Sequence, residues 1–181
     1  LVKKEIKPRV YRVMTLDPIG RASDEKLMLS PKQTREAIEF LLKEYTANCG
    51  DYHNPQTTMV ELGCGGWLGK ELEGLVRPFI FHCIAGINNL GILYDGKLAS
   101  CSNIPREFGF EGDLRKDKIK YIWDNKYQRY RNSEWKKVGD CKNCGEWEYC
   151  HGGPMHKMTD CSRTDCIYQT IVNEKDHNCC S

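Results

Sequence analysis

Cys141-Lys142-Asn143-Cys144-Gly145-Glu146-Trp147-Glu148-Tyr149-Cys150 puts three thiols at C-x2-C-x5-C spacing, directly ahead of His151-Gly152-Gly153. A two-residue gap lets both sulfurs of one turn face a single metal centre. The five-residue gap is long enough for a short helical turn to return a third thiolate to it. Three thiolates so close select a soft, thiophilic centre, zinc or an iron–sulfur cluster, over magnesium or calcium. Spacing alone does not separate tetrahedral zinc from a four-iron cluster.

The chain has 181 residues, with 27 basic and 25 acidic side chains and a net charge of +2. A nucleic-acid binder carries a concentrated basic excess, and this balance does not suggest one. The basic stretch from Lys116 to Lys137, interleaved with Tyr121, Trp123, Tyr127, Tyr130 and Trp135, reads first as an amphipathic helix with a solvated basic side. No apolar run approaches the ~20 residues that cross a bilayer, and no charged-then-apolar leader opens the sequence. The 11 cysteines are an odd number at about 6% of the chain, below the ~8–10% of small disulfide scaffolds. Their use as metal ligands in a reducing, cytoplasmic setting is expected over a disulfide framework. A secreted disulfide domain is the weaker reading.

The organisation is α/β. Arg9 to Met14 alternates and is rich in β formers, so it reads as a strand. Ser30-Pro31 caps and opens a helix with Ala37, Ile38, Leu41, Leu42 and Tyr45 on one face, ending near Asn48-Cys49-Gly50. Thr57 to Leu62 is a second strand, and the glycine-rich run Gly63 to Gly69 is a tight loop. Strand, helix and strand in that order describe a βαβ unit and part of a parallel sheet. From about residue 79 the character changes. Ile92 to Ala99 is a hairpin with Asp95-Gly96 at its turn, flanked by Cys83 and Cys101. Asp117 to Arg131 is expected as one helix and Ile167 to Val172 as a short one. Asn173 to Ser181 reads as a tail.

Cys83-x12-Gly96-x4-Cys101 followed by Cys141-x2-Cys144-x5-Cys150 and later cysteines resembles the SPASM domain. This is the auxiliary iron–sulfur extension of many radical S-adenosylmethionine enzymes. Asp17-Pro18-Ile19-Gly20-Arg21-Ala22 and the strands and helix around it are similar to the last βα units of the radical SAM partial barrel. The resemblance implies truncated parallel β/α barrel units over 1–78, a SPASM-like domain over 79–172 and a tail over 173–181. It implies an enzyme that modifies a peptide or protein, with S-adenosylmethionine and a four-iron cluster as cofactors. Cys83-Ile-Ala-Gly-Ile, Asp95-Gly-Lys and Cys150-x-Gly-Gly are similar to phrases common in peptide-modifying members.

The family's C-x3-C-x2-C motif is absent, and the expectation is that it lies upstream of Leu1. This segment alone would then not cleave S-adenosylmethionine. By resemblance, Cys141, Cys144, Cys150 and a later thiol hold the second auxiliary cluster, the later thiol being Cys166 or Cys161, with Cys166 preferred. Cys83 and Cys101 belong to the first. Its closing thiol would stand four positions after Cys150 in the family's C-x3-C, and Pro154 occupies that position. The first site is therefore expected to be empty, or completed by another cysteine such as Cys64. His151 and His156 are possible substitutes for a thiol, though each reads first as an ordinary histidine. Cys49 and Cys64 read as structural thiols, and His53 and His82 have no assigned partner. Asp17, Arg21, Glu61 and Trp67 fall at strand ends facing the barrel mouth, each more simply a loop or capping residue. The rival reading from another class is a zinc-stabilised binding module without catalysis.

Overall fold

Ser30 does what its place before Pro31 predicts. Its hydroxyl accepts from the Gln33 N–H at 3.3 Å, while the Gln33 side-chain oxygen accepts from the Ser30 N–H at 2.9 Å. This reciprocal capping box satisfies two helix-end donors at once. The computed structural model describes residues 2–19, 22–48, 54, 56–106, 110–159, 162–163 and 166–172. In chain order the first elements are β1 (Val10–Val13), α1 (Pro31–Asn48), β2 (Met59–Leu62), β3 (Gly91–Ile92), β4 (Lys97–Ala99) and β5 (Gly112–Asp113). Then come α2 (Ile119–Lys126), α3 (Gln128–Arg131), α4 (Trp147–Cys150), β6 (Met158–Thr159), β7 (Ser162–Arg163) and α5 (Ile167–Val172). The predicted helix end at Cys49-Gly50, together with Arg21, His53, Cys161 and the tail, lies outside the described residues. No described helix is long and apolar enough to cross a membrane.

The contacts divide into two units. The first holds residues 1–18, 24–81 and 166–181; the second holds 19–23 and 82–165. In the first, β1 and β2 pair in parallel, with Val10 opposite Met59 and Val13 opposite Leu62. The predicted βαβ unit is therefore present, as a mixed helix-and-strand arrangement with a two-stranded parallel sheet. Ile38 and Leu41 of α1 pack with Val60, Leu62, Leu68 and Val76, and Ile167 and Ile171 of α5 join this core. Across the strands, Arg12 bonds to Glu61 with its Nε at 2.8 Å, and its Nη2 also contacts the same carboxylate. Glu61 is buried, and this pairing supplies the partner that a buried carboxylate needs.

The glycine-rich loop after β2 is fastened by a buried ion pair. Arg77 donates from Nη1 to the Gly63 carbonyl at 3.1 Å and from Nη2 to the Gly66 carbonyl at 3.0 Å. Its Nε lies 2.9 Å from Glu73, close enough for an ion pair but not aligned as a hydrogen bond. Glu73 in turn accepts from the Leu68 and Phe81 N–H groups at 3.0 and 2.8 Å. Arg77 is 1% exposed and Glu73 2%. Burial raises the Glu73 carboxyl, against the lowering effect of Arg77 and the two amides; burial also lowers Arg77. Charges so deep persist only when paired and hydrogen-bonded, and here the pair orders the whole loop.

In the second unit, β3, β4 and β5 form an antiparallel sheet. Asp95-Gly96 sits in the β3–β4 turn as expected, with Gly96 at φ +76°, a conformation that favours glycine. The strand β5 adds to β4 through Leu98 opposite Gly112; two residues, one of them glycine, carry no period-2 signal. The helix expected over 117–131 divides at Tyr127, whose φ and ψ of −92° and 16° leave the helical ladder. Tyr127 is fully buried, its hydroxyl donating to the Ala99 carbonyl at 3.1 Å. The break lets Tyr127 and Tyr130 both enter the core formed by Ala85, Leu98, Ile122 and Met155. The basic side chains between the aromatics stack on them: Arg129 on Trp135 at 5.0 Å, Arg131 on Trp123 at 4.6 Å and Lys137 on Trp147 at 5.4 Å.

Tyr127 makes the fold sensitive to alkali. Burial, and next the Glu111 carboxylate, push its phenol up to about 12, from an ordinary value of about 10. The neutral phenol is the form the fold favours. Its contribution is therefore complete below pH ~10 and is lost as pH rises through ~12. Tyr130 is raised as well, by burial and its bond to Glu111. Ultraviolet titration should therefore show late-ionising tyrosines whose number falls by one in Tyr127→Phe, with the Tyr127 ionisation coinciding with loss of near-ultraviolet circular dichroism. Ionisation of Tyr127 near pH 10, with the fold intact, would contradict this assignment.

Candidate metal centre

Turns, not strands, carry the thiols of the second unit. A 3-10 turn over Gly139–Cys141 places Cys141, whose N–H donates to the Val138 carbonyl at 3.0 Å. Cys144 N–H then reaches the Cys141 carbonyl at 3.4 Å, and Trp147 N–H the Cys144 carbonyl at 3.1 Å. The single turn of α4 brings Cys150 N–H to the Glu146 carbonyl at 2.9 Å. These are the two local turns that the C-x2-C and x5-C spacings predict. Cys141 is buried, while Cys144 and Cys150 are half-buried.

The helix α4 ends in a left-handed turn. His151, Gly152 and Gly153 have φ of +46°, +76° and +66°, and the His151 N–H closes the turn on the Trp147 carbonyl at 2.9 Å. Glycine is at ease there, and histidine takes such a conformation less often. Past the turn, Pro154 is fully buried and leads a 3-10 turn over Met155–Lys157. The Met155 N–H donates to Cys83 Sγ at 3.4 Å. Residues 154 and 155 thus stand at the first hairpin thiol. Cys101 Sγ accepts from the Asn103 N–H at 3.5 Å. Cys83 and Cys101 both pack against the core cluster that contains Met155.

A cavity of about 130 Å³ opens beside Cys83, and its walls include His82, Cys150, His151, Ser133 and Lys136. The two histidine rings meet edge to face, 5.6 Å between centres. Burial lowers the His82 imidazole, and the charges of His151 and Lys136 lower it further. Sequence reasoning left His82 without a partner. The signal was that each of these histidines adjoins a candidate thiol, Cys83 or Cys150.

Cys166 is grouped with the first unit, where its carbonyl accepts from the Thr170 N–H of α5 at 2.9 Å. Cys64 also belongs to the first unit, half-buried in the glycine-rich loop, and Trp67 is buried nearby in the same loop. Among the described residues, no three His, Cys, Asp or Glu side chains already surround one point as a metal requires.

Residues 83–145 match the family model described as SPASM, an iron-sulfur cluster-binding domain. This segment is a SPASM-domain region. The match spans Cys83, Cys101, Cys141 and Cys144 and ends before Cys150. No curated protein and no solved structure matches the chain.

The two thiol sets of the SPASM region differ in how well they suit a cluster. Cys141, Cys144 and Cys150 supply soft donors on consecutive turns within one unit, the donor chemistry an iron–sulfur cluster takes. The hairpin set supplies Cys83 and Cys101, each receiving a backbone N–H. Where the resemblance expects a closing donor it offers Pro154, which has no ligand atom and no N–H. By donor type and number, three thiols within ten residues against two, the 141–150 set suits the group better than the hairpin set.

Proposed function

We propose that this chain is the auxiliary-cluster part of a radical S-adenosylmethionine enzyme that modifies a peptide or protein, working in a reducing compartment. The observation that carries the proposal is the SPASM match across Cys83, Cys101, Cys141 and Cys144. The βαβ unit of β1, α1 and β2 supports it, as the closing units of a partial β/α barrel.

Cys141, Cys144 and Cys150 would hold the cluster, with Cys161 or Cys166 as a fourth thiol. When bound, such a cluster accepts or passes single electrons. The chain's own share is placement and shielding. Buried Cys141 and the buried Trp147 indole keep water from that side of the turn. Lys137 lies over the Trp147 ring at 5.4 Å and brings positive charge near an anionic thiolate set. Glu73 and Arg77 order the loop after β2, where barrels of this type place their chemistry at strand ends.

The hairpin thiols play no part in that cluster. Cys83→Ala and Cys101→Ala should each keep the iron and sulfide content of the parent after anaerobic reconstitution. Loss of half the iron in either variant would show that the hairpin holds a cluster of its own. Iron with sulfide, as against zinc alone, in anaerobically prepared protein tests the functional reading as a whole. Zinc without sulfide would favour a structural binding module.

A further inference from the structure

The cavity beside Cys83 lies wholly within the second unit, and its wall is divided by chemistry. One part is cationic: Arg131 and Lys136 both line it, and among the described residues of the wall there is no Asp or Glu. The other part is apolar, made by Ile87, Tyr130 and Met155. Lys136 is 5% exposed, with its ammonium 3.4 Å from the Gly153 carbonyl. Arg131 lies nearer the solvent and is held from behind. Its Nε donates to the Gly86 carbonyl at 3.3 Å and its Nη2 to the Trp123 carbonyl at 2.7 Å. The guanidinium also stacks on the Trp123 ring at 4.6 Å. These partners are neutral, and among the described residues no carboxylate pairs with Arg131. A guanidinium fixed in this way is already ordered, so less entropy is lost when it binds an anion.

We propose that this cavity binds a carboxylate carried on a short apolar stem, with Arg131 and Lys136 taking the acid group and Ile87, Tyr130 and Met155 the stem. Hydrogen bonds from cations to a carboxylate are the strong ones, and a guanidinium edge matches the planar acid group. The Ser133 hydroxyl, 3.5 Å from His151 Nδ1, adds a neutral polar group to the same wall. The volume of about 130 Å³ is a little below the ~150 Å³ that holds benzene. It has room for an acid group and a few carbons, the end of a molecule and not the whole of a large one. A small inorganic anion would leave the apolar half of the wall unused. A neutral amide of the same shape would leave the two cations unanswered. Cys150 borders the same space, so a peptide held here by its acid group would lie against the 141–150 thiol set. That the acid group belongs to a peptide rests on the functional reading above. The carboxylate chemistry rests on the wall alone.

The test is anaerobic titration calorimetry of the chain, before and after iron–sulfur reconstitution, with propionate, propionamide and inorganic phosphate. Propionate should bind in both forms, about tenfold or more tighter than either of the others, since only it offers both charge and stem. Lys136→Met and Arg131→Gln should each weaken propionate by about tenfold, the usual scale for one charge-assisted bond. The three-ligand comparison on the parent needs no variant, so it decides the matter even where a substitution unfolds the chain. A second series identifies the source of the acid group: short peptides with one free carboxylate, at the C-terminus or on a Glu side chain, against their amidated and Gln forms. Peptide acids that bind tighter than propionate assign the cavity to a peptide. Propionate binding with no gain from any peptide keeps the carboxylate site and assigns it to a small free acid. Propionamide or phosphate binding as tightly as propionate, or no saturable binding of propionate, would overturn the proposal.

Discussion

Cys141→Ala, Cys144→Ala and Cys150→Ala should each lose most of the iron and sulfide that the reconstituted chain takes up. A cluster short of one thiolate has an iron without its protein ligand. The effect extends to stability. Residues 139–150 are turns whose hydrogen bonds are local, and the unfolded chain has no preformed site, so binding free energy is folding free energy here. Amides from 141 to 153 should therefore exchange faster in all three variants than in the cluster-loaded parent. The same variants compared without metal should differ little. Iron content unchanged in all three would reject a shared centre.

Glu73→Ala should destabilise the first unit by about 3–5 kcal/mol, the usual cost of leaving one charge of a buried pair alone. Arg77 would remain buried between the Gly63 and Gly66 carbonyls without its main counter-charge, the influence of Glu61 being smaller. The Leu68 and Phe81 amides would lose their acceptor at the same time. Arg77→Ala should cost a similar amount, since Glu73 then keeps its amides but loses its cation. Replacing both with apolar residues of similar size should cost less than either single change, apart from the two loop carbonyls left without donors. Urea unfolding of the three variants gives the comparison, and hydrogen exchange over residues 63–81 localises it. Single variants as stable as the parent would remove the pair from its place as the loop's fastener.

The two largest effects differ in how far the sequence alone declares them. The Cys141–Cys150 turns were legible because ligand spacing is a local property, and so was the helix α1, which declares its start with Ser30, Pro31 and Gln33. The parallel pairing of β1 and β2 followed from the strand–helix–strand order. The Glu73–Arg77 pair was not legible. Its i, i+4 spacing reads as an exposed helical pair, and only the folded glycine-rich loop buries it. The split at Tyr127 was missed because the helical period runs through it, while the Tyr127 bond to the Ala99 carbonyl is a tertiary contact. Strand β5 was too short to have a pattern. The His82–His151 pairing depends on the left-handed turn at 151–153, and neither residue's neighbours predict that these two rings meet. Pro154 was legible as a departure from the SPASM pattern; its burial beside Cys83's amide donor emerged only in the fold.

We expect this SPASM region to carry one auxiliary iron–sulfur cluster, on the thiols of the 141–150 turns. Iron and acid-labile sulfide per chain after anaerobic reconstitution, with Mössbauer spectra to identify the species, test it most directly. One four-iron cluster is expected, about four irons and four sulfides per chain, retained in Cys83→Ala and lost in Cys141→Ala. About eight irons per chain in two fully ligated clusters, or zinc with no sulfide, would contradict the account.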